Sequence, residues 1–180
     1  DGNLFNTQGF EFYNQVNVLK GGINFADAIT TVSSRYAKEI QTSEFGCALD
    51  GVLRNRAGDI YGILNGLDYE AWKPQEDPFL MVPYGVGDLD NKLRNKAFLQ
   101  ETLGLDVNPK RPLYGFVARL CHQKGIEVIV QALADIVKMG GQIVLTGTGD
   151  RKYHRILEEA TREYPGRVGV YLKFEEKMAH

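Results

Sequence analysis

The chain has 180 residues, 43% of them hydrophobic and 24% charged, the balance of a soluble globular protein with room for one medium domain or parts of two. Its net charge of −2 excludes the basic surface that a nucleic acid or an anionic membrane requires, and no apolar run reaches the ~18–20 residues that span a bilayer. Cys47 and Cys121 form no Cys-x-x-Cys pair, and the start Asp1-Gly2-Asn3-Leu4-Phe5-Asn6 has neither the basic residues nor the apolar core of a signal peptide, so a reducing, intracellular setting is expected.

In chain order, residues 13–25 are predicted as a helix with Val16, Leu19 and Ile23 on one side. Lys20-Gly21-Gly22 has the look of a phosphate loop but falls inside that periodic stretch, so it reads as a solvated lysine on a loosened helix turn. Residues 28–32 form a short β-branched strand, and Ser33 or Ser34 caps a helix running to about Ile40. Residues 60–64 form another strand, ended by an Asn65-Gly66 turn. Asn65 is either a plain turn residue or a hinge residue whose side chain faces a cleft between two domains. Residues 68–87 carry Trp72, Pro74, Pro78 and Pro83 and follow neither the helical nor the strand period, so they read as an extended connector. The domain boundary is placed near 66–80.

The second half alternates regularly. A helix over about 89–103 precedes a strand at 113–117, expected to be buried because it is wholly apolar apart from its glycine and tyrosine. The next helix carries Ile126, Ile129, Val130, Leu133 and Val137 in one stripe and stops at Gly140-Gly141. A strand at 142–146 leads through Gly147-Thr148-Gly149 into a helix over 150–164 that buries Tyr153, Ile156, Leu157 and Ala160. Pro165-Gly166 ends it, a strand follows at 168–172, and Glu175 opens another helix. Strand–helix alternation at this spacing means right-handed crossovers and a parallel sheet. Two strands in the first half and three in the second are too few to close either sheet, so the chain reads as the middle of a longer protein.

The chemistry concentrates on the loop after the strand at 113–117. Arg119 and Lys124 lie between a strand end and a helix N-terminus, where α/β sheets bind ligands and the helix dipole favours negative charge. Such a loop suits a phosphate or diphosphate; the alternative is two surface cations lying over a helix. Gly147-Thr148-Gly149 lacks the third glycine of a dinucleotide fingerprint and has no Walker lysine. It is either a turn that fits a tight corner or a place where backbone amides approach a nucleotide. His122, His154 and His180 have no ligand spacing, so no metal site is expected, and there is no Ser-His-Asp pattern or nucleophile elbow.

Several stretches together resemble the bacterial glycogen synthase and plant starch synthase family, retaining glucosyltransferases of the GT-B fold. They are Leu19-Lys20-Gly21-Gly22-Ile23 with Ala26-Asp27 and Thr30-Thr31-Val32-Ser33-Ser34-Arg35-Tyr36-Ala37; Leu49-Asp50-Gly51-Val52-Leu53; Gly62-Ile63-Leu64-Asn65-Gly66-Leu67-Asp68 with Trp72-Lys73-Pro74; and Gly115-Phe116-Val117-Ala118-Arg119-Leu120 with Gln123-Lys124-Gly125. The ordered match covers nearly the whole chain. It implies an α/β fold of two Rossmann-like parallel-sheet domains, both incomplete: residues 1–65 would end the N-terminal acceptor domain, 66–80 connect, and 81–180 begin the C-terminal donor-nucleotide domain.

The resemblance also implies roles. Arg119 and Lys124 would bind the diphosphate of ADP-glucose and act catalytically, Asn65 would face the donor cleft, and Gly147 and Gly149 would lie under the nucleotide. No metal or other cofactor is implied. The partners would be ADP-glucose and an α-1,4-glucan, with no nucleic acid and no membrane, in the cytoplasm of a bacterium or the plastid of a plant. The family has glycine where Ala118 and Ala48 stand and proline where Ser34 stands; none of these differences removes a charged group. Its upstream Lys-x-Gly-Gly-Leu loop and its Glu-Pro-Cys-Gly-Leu segment are not among these residues, so the 180 residues alone are expected to show no transfer. Two other readings remain: a GT-B transferase using a different sugar nucleotide, or a non-catalytic nucleotide- or glucan-binding module.

Overall fold

A computed structural model describes residues 4–180; Asp1, Gly2 and Asn3, part of the start read as no signal peptide, lie outside the described residues. The chain divides into two compact units, residues 1–67 and 68–180.

The first unit opens with a two-stranded antiparallel hairpin, β1 (Glu11–Phe12) and β2 (Gln15–Val16), followed by helix α1 (Val18–Phe25). This corrects the single helix expected over 13–25. Tyr13 and Asn14 both take left-handed backbone, with φ of 51° and 61°, which is what a two-residue hairpin turn demands. The helix begins only where the Asn17 side chain accepts from the Lys20 amide at 2.9 Å. Lys20 is not a solvated lysine: it is 6% exposed, and its ammonium donates to the carbonyls of Thr7 at 2.8 Å and Glu11 at 2.5 Å.

Next, β3 (Ile29–Thr31) pairs in parallel with β4 (Ile60–Gly62), with Ile29 opposite Ile60. Between them lie α2 (Ser34–Glu39), capped by the Ser33 hydroxyl accepting from the Tyr36 amide at 2.9 Å, and α3 (Asp50–Asn55), a short helix with no counterpart in the sequence reading. Arg56 ties this unit together. Its guanidinium donates to the carbonyls of Ile23, Asn24 and Ala26 at the end of α1, and to Asp59 at 2.8 Å. A cation at a helix C-terminus complements the dipole there.

Ala48 adopts φ of 63°, a conformation that costs a β-carbon about 1–2 kcal/mol. Ala48→Gly is therefore expected to stabilise the folded state by about 0.5–1 kcal/mol, once the greater freedom of glycine in the unfolded chain is subtracted. Thermal unfolding of the two proteins side by side checks this; an unchanged or lowered melting temperature counts against it.

In the second unit, residues 68–88 run in turns and irregular segments and pack against their own unit. The Asn95 side chain donates to the Val82 carbonyl at 2.6 Å and accepts from the Val82 amide at 3.1 Å. Trp72 stacks on His180 with 3.9 Å between ring centres, and His180 pairs with the buried Asp77 carboxylate at 2.6 Å. Burial alone would raise the Asp77 pKa. The hydrogen bonds from His180 and the Phe79 amide outweigh it and hold the carboxyl below its ordinary value.

Helix α4 (Leu89–Thr102) leads to the three-stranded parallel sheet β5 (Leu113–Val117), β6 (Gln142–Thr146) and β7 (Val168–Tyr171), in that spatial order. The connecting helices are α5 (Ile126–Lys138) and α6 (Arg151–Glu163), and α7 (Glu176–Ala179) follows β7. The central strand β6 is buried throughout. Phe116, Ile143, Leu145 and Val168 meet Ile126, Leu133, Tyr153, Leu157 and Ala160 in one continuous core. Ile156, expected in that core, is 37% exposed and does not belong to it. β5 is not a buried strand either. Among the described residues it has a neighbour on one side only, and Val117 is 57% exposed.

The other face of the sheet is fixed by a buried amide pair. Gln100 on α4 donates to the Gln142 side-chain carbonyl at 2.6 Å, and Gln142 donates to the carbonyls of Asp106 and Gly166 at 2.8 Å each. Both side chains are fully enclosed, so each polar atom left unpaired would cost about 1–3 kcal/mol. The pairing leaves neither cost standing.

Candidate functional site

β5 and β6 run in parallel, so their C-terminal ends open on the same edge of the sheet, and the loops leaving them are joined backbone to backbone. The Ala118 amide donates to the Thr146 carbonyl at 3.2 Å, the Leu120 amide to the Thr148 carbonyl at 2.9 Å, and the Asp150 amide to the Leu120 carbonyl at 3.0 Å. Leu120 and Gly149 form an isolated parallel bridge. Leu120 itself is fully buried in the core, so the residue immediately before it is carried on an anchored backbone.

The two glycines make this approach possible. A β-carbon on Gly147 would stand 2.0 Å from the Ala118 carbonyl oxygen, and one on Gly149 would stand 2.2 Å from the Leu120 carbonyl oxygen. Gly147 also has φ of 140°, a conformation that side chains rarely adopt. The tight-corner reading of Gly147-Thr148-Gly149 thus acquires a specific object, the loop bearing Arg119. Ala118, by contrast, is not among the left-handed residues, so its methyl group is accommodated without backbone strain.

Beyond Leu120 the chain makes one 3-10 turn, residues His122–Lys124, and enters α5 through Gly125. The turn is closed by the Lys124 amide donating to the Cys121 carbonyl at 3.0 Å and the Gly125 amide to the His122 carbonyl at 2.9 Å. Arg119 and Lys124 are both exposed, and neither side chain makes a hydrogen bond or ion pair among the described residues. Two cations without protein partners, at a strand end and before a helix N-terminus, leave their donors and charge for an anionic ligand.

Behind Lys124 lies a network that the sequence reading missed. Glu127, in the first turn of α5, accepts a hydrogen bond from the Tyr153 hydroxyl on α6, and the His122 Nδ1 stands 3.2 Å from the same carboxylate oxygen. Lys152 lies over the Tyr153 ring, 4.4 Å from its centre. The Tyr153 hydroxyl holds the Glu127 carboxyl below its ordinary range, and the carboxylate in turn raises the phenol. The Lys152 pKa is raised, chiefly by Tyr153 beside it and further by the Glu127 and Asp150 carboxylates. The only sequence signal was the acidic residue three positions after Lys124; its partner on another helix was not legible.

The structure thus brings Arg119, Lys124, Gly147 and Gly149 together on one edge of the second unit. Asn65 belongs to the first unit. It lies three residues beyond β4 in an exposed segment without regular structure and not in the expected turn. Among the described residues, no group of three or more histidine, cysteine or acidic side chains has the arrangement of a metal site, and no helix is long and apolar enough to cross a membrane.

A family model described as the starch synthase catalytic domain matches residues 1–55. The chain is 46% identical over 177 residues to a glycogen synthase of Anaeromyxobacter dehalogenans, covering 98% of this chain and 37% of that protein. It is equally 46% identical, over 176 residues, to a glycogen synthase of Thermotoga petrophila, covering 98% of this chain and 36% of the relative. Among solved structures, the catalytic domain of starch synthase IV from Arabidopsis thaliana, bound to ADP and acarbose, superposes with a TM-score of 0.91 at 34% identity, over 99% of this chain and 38% of that one. The chain therefore spans little more than a third of the length of the relatives it matches.

Proposed function

We propose, starting from the membership of this chain in the bacterial glycogen synthase and plant starch synthase family, that it supplies the diphosphate-binding loop of an enzyme transferring glucose from ADP-glucose to an α-1,4-glucan. The fold is α/β of the GT-B type, present in part. The observation that carries the reading is the pair of unpartnered cations, Arg119 and Lys124, on a loop locked to the sheet by Gly147 and Gly149.

As the bond between glucose and diphosphate breaks, negative charge grows on the leaving phosphate. Cations held in place before that charge develops stabilise the transition state more than the ground state. Arg119 suits bidentate contact with phosphate oxygens, and Lys124 acts as a point charge beside it. Their two positive charges do the neutralising work here with no metal required. Gly147 and Gly149 hold the Arg119 loop close over the strand ends and are assigned a place under the nucleotide, their own amides donating to the Tyr171 carbonyl at 3.1 Å and the His154 Nε2 at 3.3 Å. Asn65 is assigned to the donor cleft, residues 66–80 to the connector between acceptor and donor domains, and the compartment to the bacterial cytoplasm or the plant plastid. The neighbouring starch synthase structure holds ADP and acarbose, a ligand pair that fits a nucleotide donor and a glucan acceptor.

Competition separates this reading from a transferase for another sugar nucleotide. In a full-length enzyme carrying these residues, ADP is expected to inhibit glucosyl transfer at least tenfold better than UDP. Equal inhibition, or preference for UDP, removes the ADP-glucose assignment. Absence of any transfer together with retained ADP binding favours a non-catalytic module.

A further inference from the structure

Residues 68–88 have neither helix nor strand to hold them, yet they belong to the second unit. Trp72, Asp77 and Phe79 converge on one side chain. The His180 ring stacks on Trp72 with 4° between the planes, lies 4.9 Å from the Phe79 ring centre, and places its Nδ1 2.6 Å from the Asp77 Oδ2. The His180 and Asp77 side chains are 3% and 5% exposed, so water does not compete for the bond. The other bonds here are local: the Asp68 carboxylate accepts from the Glu70 and Ala71 amides, Lys73 pairs with Glu76, and the Pro74 carbonyl accepts from the Tyr84 amide. The chain just before this stretch differs. The Ile63 amide is still bonded to the Thr31 carbonyl on β3 at 2.8 Å, and the Trp72 amide donates to the Asp68 carbonyl at 2.9 Å. Between them, Leu64, Asn65, Gly66 and Leu67 are exposed and make no hydrogen bond among the described residues, and a β-carbon on Gly66 would meet nothing within 4 Å.

We propose that His180 is the fastening that holds residues 68–88 on the second unit as a strap, so that the free joint between the two units is confined to Leu64–Leu67. The connector at 66–80 is thereby narrowed, and Asn65 stands on the joint itself. Without the imidazole, Asp77 loses its partner in a buried place and Trp72 loses the ring it covers, and both then gain by turning to water. The next hold on the chain is Val82, bonded to the Asn95 side chain. Residues 64–81 would then move freely, a joint about 4.5 times as long. The chance that two tethered parts meet falls as about the −3/2 power of tether length, so this release lowers it about tenfold. That kinetic consequence rests on the reading that assigns Asn65 of the first unit and Arg119 of the second to one donor.

Hydrogen exchange resolved amide by amide, on a full-length enzyme carrying these residues and its His180→Ala variant, tests the fastening. In the parent, the Trp72, Glu76 and Phe79 amides, each bonded within the strap, are expected to exchange far more slowly than those of residues 65–67. In His180→Ala those three are expected to exchange at least about tenfold faster, while Val82 and strand β6 change less than about twofold and kcat/KM for ADP-glucose falls about tenfold. Unchanged exchange at Trp72, Glu76 and Phe79 overturns the proposal. If β6 loses its protection as well, the variant has not folded, and Trp72→Leu, which spares the bond between Asp77 and His180, decides. Faster exchange confined to the strap upholds the fastening there, and none overturns it. Asn65→Ala, measured alongside, keeps the two failures distinct. The parent's kinetics in that variant remove Asn65 from the donor, and the fastening is then judged on exchange alone. Impaired kinetics there, with a released strap and the parent's kcat/KM in His180→Ala, overturn the claim that the length of the joint matters.

Discussion

Lys124→Ala in a full-length enzyme carrying this segment is expected to lower kcat about 10²–10³-fold, equivalent to about 3–4 kcal/mol of transition-state stabilisation, while KM for ADP-glucose rises far less. The asymmetry follows from when the charge appears. In the bound donor the diphosphate is already anionic and is shared among several contacts, so one lost ammonium weakens binding modestly. In the transition state an additional negative charge builds on the leaving oxygen, and the cation nearest to it carries a larger share. Lys124 is suited to that task because no carboxylate of the described residues neutralises it. The check is steady-state kinetics at saturating acceptor. A variant with the parent's kcat returns Lys124 to the ordinary surface lysines.

The second large effect concerns a residue with no functional group. Gly147→Ala is expected to destabilise the second unit by about 2–4 kcal/mol, lowering the melting temperature by roughly 5–10 °C, because the new methyl group meets both a forbidden backbone region and a carbonyl oxygen. The intruding carbon would stand 2.0 Å from the Ala118 oxygen, so the strand-end loop must move before the side chain fits. Arg119 is the next residue and moves with it. A displacement of about 1 Å in a group that contacts the reacting phosphate is enough to cost about 10²-fold in rate. Thermal unfolding and kcat measured on the same preparation test both halves. A variant with the parent's stability would show that the two loops are not held as closely as described.

The legible part of the sequence was the part whose elements are built by local pattern. β5, β6 and β7 were visible as short apolar runs bounded by glycine, proline or charge, and α5 as a single apolar stripe stopped by Gly140-Gly141. The hairpin at Glu11–Val16 was not legible, because its turn places a tyrosine, Tyr13, in a left-handed conformation where asparagine or glycine would have announced it. Lys20 misled for a related reason. Lysine is almost always solvated, and nothing local reveals that the Thr7 and Glu11 carbonyls converge on its ammonium. α3 is only six residues long, too short to display a period.

The candidate site divides in the same way. Arg119 and Lys124 could be read from their place between a strand and a helix. The loop-to-loop hydrogen bonds that fix Arg119, and the β-carbon exclusion at Gly147 and Gly149, are contacts across 28 and more residues of chain and so belong to tertiary structure. The exposure of Val117 on β5 was likewise hidden, since an apolar strand reads alike whether it lies in the middle of a sheet or at its edge.

The most direct test is calorimetric titration of the full-length enzyme and its Arg119→Ala/Lys124→Ala double variant with ADP and, separately, with adenosine. If the pair binds the diphosphate, ADP binds the parent far more tightly than adenosine does. That advantage falls at least tenfold in the double variant, while adenosine affinity stays the same. An undiminished advantage of ADP over adenosine in the double variant contradicts the account.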